Sequence, residues 1–107
     1  MLNQIILVGR ITENPMCEKD NDGKQKTIIK LEIKRSFKNP DTNDFDSDII
    51  TVKLWSDIAS QASDQLKIGS LVGVKGRVQQ TMIETVKGLI NIPEILGEKI
   101  TFISARN

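Results

Sequence analysis

Three aspartates at alternate positions, Asp44, Asp46 and Asp48, are the strongest hint of cation chemistry in the chain. A calcium loop opens on that D-x-D-x-D spacing, but it needs glycine at its sixth position and glutamate at its twelfth. Those positions hold Ile49 and Trp55. Other chemistries fail on residue type. Without histidine the chain lacks the commonest general base and metal ligand, and a Ser-His-Asp triad is excluded. The single Cys17 can neither close an internal disulfide nor build a zinc cage, and is expected as a small packing residue. No G-x-x-x-x-G-K-[ST] is present, which excludes nucleotide hydrolysis by a P-loop. The residue content predicts no catalytic residue, no metal and no cofactor, and so no enzyme.

What remains is binding chemistry around one ring. Residues 49–57 read IITVKLWSD, and side chains of a strand alternate between its two faces. Ile50, Val52 and Leu54 fall on one face, and Thr51, Lys53 and Trp55 on the other. Trp55 is the only tryptophan, and there is no tyrosine. A ring grouped with a lysine rather than a valine can offer a flat apolar surface beside a cation; the alternative is that it caps the edge of the fold. The net charge of +1 gives no global bias toward nucleic acid or membrane, but it hides an asymmetry. Lys24, Lys26, Lys30, Lys34, Arg35 and Lys38 stand against Glu32, and then Asp41, Asp44, Asp46 and Asp48 follow without a base. This is a basic strand joined to an acidic loop, or else an ordinary solvated face beside a solvated loop.

The elements that position these groups follow from length and pattern. A chain of 107 residues, 38% hydrophobic and 27% charged, predicts one soluble globular domain over residues 1–107. No apolar run approaches the roughly 20 residues of a membrane span. The opening MLNQIILVGR lacks the basic start and long apolar stretch of an export signal, so the expected compartment is the cytoplasm and no membrane partner is expected. Residues 3–11 read as a strand covered on both faces, with Gly9 marking a bend. Turn chemistry follows at Asn14-Pro15 and at residues 20–23. Residues 27–35 alternate as a second strand, residues 38–48 read as a polar loop, and residues 49–55 form a third strand. Ser56 or Asp57 is then expected to cap a short helix whose apolar face is Ile58, Ala62 and Leu66, with Gly69 as its stop. Residues 71–78 form a fourth strand, in which Gly73 and Gly76 suit curvature or close backbone approach. A hairpin arm over residues 79–91 and a fifth strand over residues 100–103 complete the pattern. Five strands with one short helix between the third and fourth predict an all-β, five-stranded OB-fold barrel.

The segments NQIILVGRITENP (residues 3–15) and LWSDIASQASDQLKIGSLVGVKGRV (residues 54–78) resemble the bacterial single-stranded-DNA-binding proteins, and the likeness covers nearly the whole chain. The resemblance implies non-enzymatic, largely sequence-independent binding and protection of single-stranded DNA in replication, recombination or repair. It places Trp55 where that family stacks a base, and Phe37 where it carries another stacking ring, although parity from Ile33 turns Phe37 inward unless a bulge intervenes. Ile49 and Ile83 occupy positions where the family has rings. Lys30, Lys34, Lys53, Lys75 and Arg77 face outward by strand parity and are expected to meet phosphates, or to be plain surface charges; Arg10, after the Gly9 bend, reaches toward the same groove. The implied partners are single-stranded DNA and further copies of this chain, as a homotetramer or, alternatively, a homodimer. The sequence stops after the fifth strand without the family's acidic tail, as in short members and in related primosomal replication-restart proteins. The alternative function is an OB-fold protein-interaction module of a primosome or replication complex.

Overall fold

The alternating segments build a curved sheet that closes on itself. The computed structural model describes residues 1–20 and 22–105 and contains β1 (Ile5–Ile11), β2 (Met16–Lys19), β3 (Gln25–Asn39), β4 (Asp44–Trp55), α1 (Ser56–Gln65), β5 (Leu71–Thr85) and β6 (Gly88–Ser104). The sheet order is β1-β5-β6-β4-β3-β2, and β1 also returns to β3, with Arg10 opposite Glu32 and Ile11 opposite Leu31. Five strands therefore close into an OB-type barrel, with α1 between β4 and β5. No helix among the described residues is long and apolar enough to cross a membrane.

The inward faces are those the alternation predicts. Ile11, Ile29, Leu31, Val52, Leu54, Val72 and Val74 form the buried core, and Ala59, Ala62 and Leu66 of α1 pack against it. The buried Thr27 hydroxyl donates to the Ala59 carbonyl at 3.0 Å, which ties the helix to β3 without leaving a polar group unpaired. Closure needs backbones to come close. A Cβ at Gly9 would lie 2.7 Å from the Glu32 carbonyl oxygen, and one at Gly76 would strike the Leu96 carbonyl. Gly73 is different: a Cβ there would meet nothing nearer than Ile103 Cδ1 at 3.8 Å. Its bare backbone faces outward beside Ile6 and Val8 of β1, which are 69% and 50% exposed. Within one chain β1 is thus covered only on its inner face.

Several expectations are corrected. The polar loop of residues 38–48 is mostly a β-hairpin: β3 continues to Asn39, β4 begins at Asp44, and Asn43 takes the turn with φ 59°. Both faces of this arm meet solvent, so its strands persist without the apolar alternation that would announce them. An additional strand, β2, forms after Asn14-Pro15 and pairs with β3 as an edge. The turn at residues 20–23 is present, with Asp20 Oδ1 accepting from the Asp22 and Lys24 amides at 3.0 and 2.8 Å; Asn21 lies outside the described residues, as do Arg106 and Asn107. The fourth and fifth strands are longer than predicted, because β5 and β6 stay paired all the way to the turn at Thr85 and Gly88. Neither Ser56 nor Asp57 caps α1. Trp55 is its N-cap residue, without a side-chain hydrogen bond, and Ser56 is held at φ 57° by the sharp reversal from β4. The helix ends at Gln65, and Gly69, at φ 89°, shapes the following turn and donates its amide to Ile11. Cys17 is exposed on β2, its sulfur 3.4 Å from Thr27 Oγ1.

The glycines give a direct test. Gly9→Ala or Gly76→Ala should destabilise the fold by about 1–3 kcal/mol through overpacking. Gly73→Ala should leave the folding stability of the monomer within about 0.5 kcal/mol, the usual range for surface changes. Denaturant titration of the three variants under dilute conditions checks both statements.

Candidate functional site

The outward face of β4 carries Phe45, Ser47, Ile49, Thr51, Lys53 and Trp55, because these residues share one parity. Register with β3 sets their neighbours: Lys26 lies opposite Trp55, Ile28 opposite Lys53, Lys30 opposite Thr51, Glu32 opposite Ile49, Lys34 opposite Ser47 and Lys38 opposite Phe45. The lysines of β3 thus recur every four residues along one side of the β4 stripe. At one end Lys24 Nζ and Lys26 Nζ lie 5.3 and 5.8 Å from the centre of the half-buried Trp55 ring. At the other end Lys34 Nζ and Lys38 Nζ lie 5.8 and 5.9 Å from the centre of Phe45. Each ring therefore sits under two cations.

The cation beside Trp55 is not the one parity suggests. Lys53 turns away to Glu94, with Nζ 2.7 Å from Oε2. Cross-strand neighbours stand about 5 Å apart, nearer than residues two apart along one strand, so Lys26 reaches the ring first. Glu94 is largely buried, at 14% exposure, and its carboxyl sits below the ordinary glutamate range. The hydrogen bond from Lys53 is the main cause; burial opposes it, and a further bond from Gln79 assists. Lys26 and Lys30 also have carboxylate partners, Glu18 at 3.2 Å and Glu13 at 3.3 Å. Among the described residues Lys24, Lys34 and Lys38 have no carboxylate within ion-pair distance, and all three stand at the rings.

The other expected site residues divide into two groups. Ile49 is 53% exposed in the middle of the stripe. Ile83 is exposed on β5 and, with Thr81, Ile92 and Pro93, faces Thr51 and Lys53 across a groove of about 300 Å³. Phe37 is exposed because the arm has left the barrel; the β3–β4 register slips by two residues between Lys34 and Lys38, which keeps those two lysines on one face and does not by itself turn Phe37 onto it. Arg10 lies opposite Glu32, near Lys34, but its Nη1 donates to the Gly69 carbonyl at 2.9 Å. Lys75 and Arg77 are exposed on β5, separated from the stripe; Lys75 stands between Ile6 of β1 and Lys99 of β6. Sequence reasoning missed Lys24 and Lys26 as partners of Trp55, since only register puts them there. It also missed Phe45, which counting back from Trp55 in twos would have reached had the strand been carried through the polar segment, and Lys38, which only register places beside Phe45.

The three aspartates have structural partners. Asp48 accepts a bidentate pair from Arg35 at 3.0 and 3.1 Å, Asp46 accepts from Asn39 at 3.0 Å, and Asp44 accepts the Phe45 amide at 2.8 Å. The hydrogen bond from Arg35 holds the Asp48 carboxyl below its usual range.

Comparison with known proteins bears on the family and the fold. The sequence pattern of the Single-strand binding protein family matches residues 2–103. Single-stranded DNA-binding protein B of Bacillus subtilis is 32% identical over 107 residues, which cover 99% of this chain and 94% of that protein. A single-stranded DNA-binding protein of Bacillus cereus is 33% identical, with the chain spanning 63% of its length. In three dimensions the chain is similar to a protein described as "Plasmodium falciparum SSB complex with ssDNA", with a TM-score of 0.81 over 97% of this chain and 96% of that one at 22% identity, a likeness of fold.

The Lys53–Glu94 pair has a pH signature. Because the folded-state pKa of Glu94 is lowered, its contribution to stability is present above the ordinary glutamate pKa and is lost as pH falls through the lowered value. Glu94→Gln should cost about 1–3 kcal/mol at neutral pH, and the gap to the parent protein should narrow in acid. Denaturant titrations across that range check the sign; a gap independent of pH would show that the charge itself contributes nothing.

Proposed function

The chain belongs to the single-strand binding protein family, and from that premise we propose that it binds and protects single-stranded DNA with little sequence preference, in replication, recombination or repair, without catalysing a reaction. The observation that carries this reading is Trp55: a half-buried ring on an outward strand face, under Lys24 and Lys26. A base laid on the ring replaces a cation–π contact of about 0.5–1 kcal/mol with stacking of about 1–3 kcal/mol. The displaced ammonium stays close enough to meet the phosphate of the same nucleotide. Lys26 and Lys30 exchange carboxylate partners for phosphates at small cost, while Lys53 lines the path with its largely buried partner Glu94 retained. Ile49, Ile83 and Phe37 add apolar contact along the path. Arg10, beside Lys34, and Lys75 and Arg77 on β5 contribute further charge outside the stripe itself. The reading includes a cytoplasmic location, where Cys17 remains a thiol.

We further propose self-association as a homotetramer, with a homodimer as the alternative. Ile6, Val8 and Ile103 form an exposed apolar surface around Gly73. A second copy laid across it would cover the outer face of β1, and the missing side chain at Gly73 lets a backbone approach.

Two measurements test these statements. In an electrophoretic shift with oligo(dT), with and without magnesium, the affinity should not depend on the metal and should fall steeply with added salt as counterions are released. Trp55→Ala should fold and lose about 1–3 kcal/mol of binding, and the parent's tryptophan fluorescence should be quenched by DNA. Binding that is indifferent to salt, or undiminished in the variant, would refute the site. Light scattering should give a multiple of the monomer mass, and Val8→Glu, which puts a charge into the proposed contact, should give a folded monomer. A monomeric parent at micromolar concentration would refute self-association.

A further inference from the structure

The hairpin formed by β3 and β4 beyond the barrel has two chemically different faces. On one, Arg35 is paired with Asp48 and Asn39 with Asp46. On the other, Phe45 lies under Lys34 and Lys38, and neither lysine has a carboxylate partner among the described residues. Four acids stand within eight residues of sequence, at Asp41, Asp44, Asp46 and Asp48. Folding could have neutralised the lysines with them. Instead parity turns Asp46 and Asp48 to the opposite face, where Arg35 and Asn39 hold them. The exposed ring is left with two free cations.

Trp55, on the same face of the same strand, also lies under two lysines, of which Lys26 is paired with Glu18. The rings lie ten positions apart, about 33 Å at the usual strand rise. Lys30 and the exposed Ile49 fill the interval. A path of that length suits the span of about 4–16 nucleotides that one OB fold covers.

We propose that Phe45 is a second base-stacking position, with Lys34 and Lys38 as its phosphate contacts, so that a bound single strand runs along β4 from Trp55 out onto the β3–β4 arm. This rests on the single-strand reading above and extends it to residues outside the barrel. The ring at Phe45 stands four positions beyond the exposed Ile49, on the same parity.

The test uses oligo(dT) 20-mers and 5-mers. Phe45→Ala should weaken 20-mer binding by about 5- to 100-fold while leaving the quenching of Trp55 by the 5-mer intact, which also shows that the variant is folded. In a Trp55→Phe background, Phe45→Trp makes position 45 the sole reporter, and its fluorescence should be quenched by the 20-mer. Lys34→Ala and Lys38→Ala should each make the salt dependence shallower by about 0.7 in log–log slope. If Trp55→Ala weakens the 20-mer but Phe45→Ala does not, or if a tryptophan at position 45 is not quenched, the arm is not on the DNA path and the barrel site stands alone. If the parent protein binds neither oligonucleotide, the single-strand reading itself fails.

Discussion

The structure depends on one constraint: β1 must serve two neighbours. It pairs with β5 from Ile5 to Arg10 and with β3 at Arg10 and Ile11, and only this double pairing turns an open sheet into a barrel. The backbones approach too closely at Gly9 and Gly76 for any side chain. Closure fixes which faces of β3, β4 and β5 look inward, and the core of Ile29, Leu31, Val52, Leu54, Val72 and Val74 then locks the register. A slip of one residue would bury Lys53 and expose Val52. The outward stripe on β4 is therefore the outer half of a decision taken by the core.

Electrostatics on that outer half is set by weak contacts that are easily exchanged. Cation–π contacts at exposed rings are worth about 0.5–1 kcal/mol, and exposed ion pairs about as little. Neither holds a lysine firmly against a phosphate with a base beside it. The Lys53–Glu94 pair is the exception, because Glu94 is largely buried and bonded also by Gln79. It acts as a fixed part of the groove between β4 and the β5–β6 arm more than as a free cation. This divides the basic surface into lysines that hold the scaffold and lysines that are free to meet a ligand.

The apolar outer surface of β1, β5 and β6 is a separate matter. Ile6 and Ile103 lie on the β1–β5–β6 side of the barrel, while Val8 borders the groove that Arg10, Glu32 and Lys34 also line. Lys75, expected from parity to meet DNA, sits on this other side beside Ile6. Facing outward was enough to nominate it, but a closed barrel faces outward in every direction.

The barrel and its inward residues were legible in the sequence because burial imposes period two on β3, β4 and β5, and burial is a property of the chain's own apolar pattern. The same parity gave the outward side of Trp55, Lys53 and Ile49, and the absence of histidine and of a glycine-rich phosphate loop removed the common chemistries before any coordinates. Only the tertiary structure decided which outward residues meet. Lys26 rather than Lys53 stands at Trp55, because distance across a ladder is shorter than distance along a strand, and register is a relation between segments far apart in sequence. The β3–β4 arm has the sequence of a loop for a related reason: with solvent on both faces, the pairing that makes it a hairpin leaves no hydrophobic period in Lys38 to Asp48, and only that pairing sets Phe45 beneath Lys34 and Lys38.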